Sequence, residues 1–134
     1  MRRFIFVLIC ITVLGGTALA QSDRLETYQA NFSSSNLQTK LEILRAADAE
    51  DAAAFGPLYG QALSFVVSNA EDLYTEPLLR RIALKAINRI EAGGYRPAVN
   101  DLWRLFRLYD ETTARIQMLN VLGGLADGLE GHQP

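Results

Sequence analysis

Cysteine occurs once in this chain, at Cys10, and histidine once, at His132. With no second thiol there is no disulfide to form, and a Cys/His metal site of the usual spacing is excluded. His132 is the third residue from the C-terminus, where chain ends are commonly unordered, so it is a poor candidate for a general base. No segment alternates apolar and polar residues as a half-buried strand does. No glycine-rich phosphate loop follows a strand, and no His-Glu pair is present. These absences point away from an enzyme, a cofactor or a resident metal. Asp48, Glu50 and Asp51 gather acid in one place, but they alternate with alanine, which reads as a solvated connection more simply than as a site for a hard cation.

What the chain does have begins with a leader. Arg2 and Arg3 precede an apolar run from Phe4 to Leu14, and Gly15-Gly16 then leads to Ala18-Leu19-Ala20. This is the layout of a secretory signal peptide over residues 1–20, with cleavage after Ala20 and a periplasmic or secreted product. The alternative is an uncleaved signal anchor, because Phe4 to Ala20 is free of charge and close to the shortest span of a bilayer. Cys10 lies within the leader and Ile9 precedes it, which does not fit a lipoprotein. Without Arg2 and Arg3, 11 basic side chains face 15 acidic ones, a net charge of −4.

Charge is divided along the chain. Residues 21–79 carry three basic and nine acidic side chains, whereas residues 80–115 carry eight basic and four acidic. Such polarity can order the stacking of neighbouring units or steer a charged partner, and it is also what a solvated face looks like. The net negative charge and the scatter of the cations over several helix faces speak against nucleic acid.

The apolar pattern is helical throughout. Asp23 to Ala30 reads as a short helix in an N-terminal arm over 21–35, with Leu25, Tyr28 and Phe32 spaced to fold over the first unit. Ser35 and Gln38 have the form of a capping box, so a helix begins near Asn36 and carries Leu37, Leu41 and Leu44 on one face, with Lys40, Glu42 and Arg45 projecting away. Gly56-Pro57 starts a second helix with Leu58, Ala62, Phe65 and Val66 inward. Thr75-Glu76-Pro77 starts a third, Glu76 to Glu91, with threonine as its cap, and Gly93-Gly94 ends it. Tyr95-Arg96-Pro97 opens a fourth, and Asp110 to Thr113 caps a fifth with Ile116, Leu119, Leu122 and Leu125 inward. Residues 127–134 read as a tail.

Within this pattern one stretch returns. Leu79 to Ile90 is echoed thirty-five positions on by Ala114 to Leu125, with Arg80 on Arg115, Ala83 on Met118, Leu84 on Leu119, Ala86 on Val121, Ile87 on Leu122 and Ile90 on Leu125. Leu41, Ile43 and Leu44 match Leu84, Ala86 and Ile87 more loosely, and Pro57 matches Pro97. Self-similarity at this period predicts stacked helix pairs. The expected fold is all-α, a short α-solenoid of about two and a half helix-pair repeats and about five helices over 36–126.

Leu79-Arg80, Ala83-Leu84, Ala86-Ile87 and Ile90, with their counterparts Ala114-Arg115, Met118-Leu119, Val121-Leu122-Gly123 and Leu125, resemble the first helix of short bacterial HEAT repeats. Pro97-Ala98-Val99 with Leu102 is similar to the start of the family's second helix. The first unit departs from the pattern, with Leu37 and Lys40 where the family has its arginine and alanine. The resemblance implies a scaffold or adaptor that binds a protein or peptide on the face lined by second helices.

The strongest interaction signal is Trp103 with Arg104 and Arg107, near Tyr95 and Asn100, with Tyr59 one helix earlier extending the same surface. Tryptophan, tyrosine and arginine combine large apolar area with directional polar groups and dominate binding hot spots. Trp103 packed into a junction between units is the plainer reading of the same residue. The lone fifth helix, its leucines lacking a partner helix, suggests self-association. A further alternative is a small envelope protein whose basic helix, Arg81, Lys85 and Arg89 on one face, meets the membrane surface.

Overall fold

The computed structural model describes residues 17–130, and side chains over residues 20–126. The leader's arginines and apolar run, Cys10 and His132 lie outside these residues. Among the described residues every regular element is helical, and there are six α-helices where about five were expected. They are α1 (Thr17–Ser33), α2 (Leu37–Ala46), α3 (Gly56–Ser68), α4 (Pro77–Gly93), α5 (Val99–Leu108) and α6 (Thr112–Glu130), with short 3₁₀ turns at Ala47–Ala49, Ala70–Tyr74 and Arg96–Ala98.

The additional helix is the N-terminal arm. Its alanines, leucines and glutamines favour helix, and the apolar spacing read from the sequence does the rest: Phe32 is buried, and Leu25 and Tyr28 pack against the core. The helix is also longer than Asp23 to Ala30, running unbroken through Ala20 and Gln21. It stops where the serines begin. Ser34 Oγ donates to the carbonyls of Ala30 and Asn31, and Ser35 Oγ to that of Phe32 at 2.9 Å, which satisfies the last carbonyls from side chains.

Two expected caps move by one residue. Asn36, not Ser35, caps α2, its Oδ1 accepting from the Thr39 N–H at 2.9 Å, because Ser35 is already spent on Phe32. Thr75 likewise donates to the Asp72 carbonyl, so Glu76 takes the cap position of α4 without a side-chain bond and Pro77 opens the helix. The end of α4 follows expectation: Gly94 takes φ +65°, and the N–H groups of Gly94 and Tyr95 return to Glu91 and Ile90. Lys40 departs most from its expected place. Rather than projecting away it is buried, its ammonium lying 5.0 and 4.9 Å from the ring centres of Phe32 and Phe65 and donating to the carbonyls of Phe32 and Ser35. Burial lowers its pKa from the ordinary lysine value.

The principal contacts run in two rows, α1 on α3 on α5 and α2 on α4 on α6, joined by the pairs α1/α2, α3/α4 and α5/α6. The expected pairing, α2 with α3 and α4 with α5, is shifted by one helix. A periodic helix pattern has the same period in either frame, and α1 supplies the partner that fixes the frame. Consequently α6 is not alone: it packs on α4 and α5 and buries Met118, Val121, Leu122 and Leu125. Its inward stripe is therefore rotated from the expected one, leaving Ile116 and Leu119 at 55% and 46% exposure. The helix also continues through Gly123-Gly124 to Glu130, past the expected tail boundary.

The two echoed stretches behave alike in detail. Ala83, Ala86, Ile87 and Ile90 are buried, and so are Met118, Val121, Leu122 and Leu125. Leu84 and Leu119 are both exposed. Arg80 donates to the Leu73 carbonyl at 2.7 Å, and Arg115 to the Phe106 carbonyl at 3.1 Å, each holding the element just before its own helix.

Candidate functional site

Helix α5 is short and two-faced. Leu102 and Leu105 are buried, with Ala98 before them and Tyr109 after. On the other side Asn100, Trp103, Arg104 and Arg107 are exposed, and steps of three and four residues align them along one stripe. Four of the six expected site residues thus come together.

The other two do not. Tyr59 is completely buried, so it cannot extend a surface. It faces α4, where the Arg89 guanidinium lies 5.6 Å from its ring centre and Nε points to its hydroxyl at 3.4 Å. Burial raises the Tyr59 pKa, and the Arg89 hydrogen bond pulls it partly back. Tyr95 is half-buried for a different reason. Gly56 and Gly60, one turn apart on α3, leave a shelf on which its ring rests, and a Cβ at Gly56 would stand 2.4 Å from Tyr95 Cδ1. The absence of side chains on α3, not the chemistry of Tyr95, decides its position. Two glycines at four-residue spacing were the available sign of that shelf.

Trp103 is 40% exposed, so the stripe carries its indole at the surface rather than in an internal junction. Its orientation is set from below. The ring meets Phe106 edge-on, centroids 5.7 Å apart and planes at 76°, and the Arg115 guanidinium covers Phe106 at 4.5 Å from its ring centre. Phe106 and Arg115 were not among the expected site residues. The alignment of Arg115 with Arg80 was the one available sign of the second of them.

Most cations outside the stripe are engaged within the molecule, Arg45, Arg81 and Arg96 excepted, which are exposed and without an ion pair among the described residues. Arg24 donates to both carboxylate oxygens of Glu50 at 3.1 to 3.3 Å. Lys85 pairs with Asp48, and Arg89 reaches the Glu50 carbonyl at 3.1 Å and Asp48 at 3.6 Å. The acidic connection between α2 and α3 is solvent-exposed at Asp48 and Asp51, as expected, and its Asp48 and Glu50 also clasp three cations. Arg104, in contrast, stands 3.8 Å from Asp101 with 63% of its side chain exposed, a pair of little energetic weight. Arg107 is exposed and forms no ion pair among the described residues.

Among the described residues no group of three or more His, Cys, Asp or Glu side chains is placed to hold a metal ion, and no helix is long and apolar enough to cross a membrane. Comparison with protein-family models, with curated proteins and with solved structures finds no match for this chain.

Proposed function

We propose that this chain is an exported, HEAT-like α-solenoid module that binds a protein or peptide and does no chemistry of its own. The observation that carries the reading is the α5 stripe, an exposed tryptophan resting edge-on against Phe106 beside two exposed arginines, of which only Arg104 forms an ion pair among the described residues, a weak one. A tryptophan whose orientation is already set loses little entropy on binding, which is the property of an interface anchor. The solenoid reading is supported by the two rows of helices and by the like behaviour of Arg80 and Arg115, Leu84 and Leu119 in the echoed stretches. Its units are helix pairs joined as α1/α2, α3/α4 and α5/α6, so the stretches that resemble the family's first helix lie on the second members α4 and α6, and the stripe lies on the row of first members α1, α3, α5 rather than on the row of second helices that the resemblance implies.

Association of the basic helix with a membrane surface has less support. Of the four cations on α4, Arg80, Lys85 and Arg89 are engaged within the molecule, and only Arg81 is free of an ion pair among the described residues and exposed.

The reading is tested by affinity capture from an envelope extract with the full chain, beside a Trp103→Ala, Arg104→Ala, Arg107→Ala triple variant of unchanged helicity. Loss of one specific partner by the variant supports it. Equal capture by both removes the α5 stripe, and partition of the chain into vesicles without any protein partner favours the membrane reading.

A further inference from the structure

Which partner suits the stripe follows from charge. The argument rests on the reading of α5 as a binding face. Arg104 and Arg107 are separated by three residues on one helix, and Arg96 is exposed in the 3₁₀ turn that precedes it. Elsewhere Arg24, Arg80, Lys85, Arg89 and Arg115 are each satisfied by a carboxylate or a carbonyl of this chain, while Arg45 on α2 and Arg81 on α4 are exposed singly, and α5 alone sets two exposed arginines beside the tryptophan. The one carboxylate within α5, Asp101, is at the long limit of an ion pair. Positive charge is therefore left over here, next to an apolar ring. We infer that the α5 stripe takes a short acidic peptide segment carrying an apolar side chain between its carboxylates, the apolar group on the Trp103 indole and the carboxylates on Arg104 and Arg107.

Dimensions agree with a short segment. Asn100 to Arg107 rises about 10 Å along the helix, the length of about three residues of extended chain. Arginine forks match carboxylates in two-point geometry, and Asn100 at the head of the stripe has an amide able to donate to and accept from a peptide backbone. Anionic lipid offers the same charge but not the same shape. Asp110 and Glu111 are exposed directly after the helix, and a flat anionic surface approaching the stripe meets them as well, whereas a narrow peptide does not.

The chain contains one tryptophan, so its own fluorescence reports the site. The full chain is titrated with three peptides, Glu-Glu-Leu-Phe-Glu-Glu, its lysine counterpart and its serine counterpart, and separately with phosphatidylserine vesicles. The expected result is a saturable blue shift with the glutamate peptide that weakens with added salt. Arg104→Gln with Arg107→Gln should weaken binding roughly tenfold, the worth of two exposed ion pairs, and Arg104→Glu with Arg107→Glu should transfer the preference to the lysine peptide. Equal response to the glutamate and serine peptides overturns the acidic partner while leaving α5 as a binding face. A shift with vesicles and with no peptide overturns it in favour of lipid, and no shift with any probe removes both the inference and the binding face.

Discussion

The acidic connection and helix α5 use the same side chains to opposite ends. Around residues 48–50, Arg24, Lys85 and Arg89 converge on Asp48 and Glu50, and Tyr59 lies beneath them out of water. On α5, Arg104 and Arg107 face solvent and Trp103 stands beside them half-exposed. Residue type alone did not separate the two cases. What separates them is the availability of a partner within the chain: Glu50 lies where three elements meet, whereas among the described residues nothing covers the exposed side of α5.

The same contrast between covered and uncovered side chains is tested most sharply by cutting one apolar side chain of each kind. Leu58 is fully buried in α3 and Leu119 is half-exposed on α6. Leu58→Ala should cost about 2–5 kcal/mol through lost burial and the cavity left behind, and Leu119→Ala less than about 0.5 kcal/mol. Urea unfolding followed by circular dichroism measures both. Equal losses would mean that Leu119 is covered in solution.

Next in size is Gly93→Ala. The last turn of α4 runs against the acidic connection so closely that a Cβ at Gly93 would lie 2.5 Å from the Ala52 carbonyl oxygen and 2.9 Å from the Ala53 nitrogen. Backbone cannot swing aside as a side chain does, so a loss of about 1–3 kcal/mol is expected. Gly123→Ala on exposed α6, where a Cβ meets nothing, should be neutral or stabilising by up to about 1 kcal/mol, since alanine favours helix.

These positions also show how far the sequence could be read. The helical class, the stripe of α4, its glycine stop and the four-residue alignment of Asn100, Trp103, Arg104 and Arg107 all depend on spacing, and spacing is local. The helix pairing was not legible, because an apolar pattern that returns after thirty-five to forty residues is indifferent to which of two neighbouring helices is counted first. Lys40 was misplaced because its position in α2 is polar by type, and only the meeting of Phe32 from α1 with Phe65 from α3 makes a slot for it. Tyr59 and Tyr95 fell away for the same kind of reason: both are held by residues of other helices, Arg89 in one case and Gly56 with Gly60 in the other.

A smaller effect contrasts the two kinds of ion pair. Glu50→Gln keeps the shape but removes the charge that Arg24 grips with both side chains only 17% exposed. A loss of about 1–2 kcal/mol is expected, with most of it arising from the arginine left without its carboxylate. Asp101→Asn, beside an arginine mostly in water, should change stability by less than about 0.5 kcal/mol. A double-mutant cycle with Arg24→Gln and Arg104→Gln isolates each pair, and similar coupling energies would erase the distinction between clasp and free stripe.

The smallest expected effect separates a carboxylate held by cations from one held by backbone alone. Glu111 is fully exposed, yet its oxygens accept from the N–H groups of Ala114 at 2.7 Å and Thr113 at 3.1 Å at the start of α6. Those two backbone bonds, Ala114 first, lower its pKa from the ordinary value of 4.5. Because the folded chain holds the charged form more firmly than the unfolded chain does, Glu111 contributes its full stabilisation above about pH 4.5 and loses it as pH falls through the lower folded value. Glu111→Gln should therefore lower the melting temperature slightly at about pH 7 and not at about pH 3, with the two curves converging in the acid. The Glu50→Gln variant is the control in the same scan. If the Glu111 difference persists unchanged into acid, the side chain acts at the helix start through shape or an amide hydrogen bond, and the helix-cap charge is not its source.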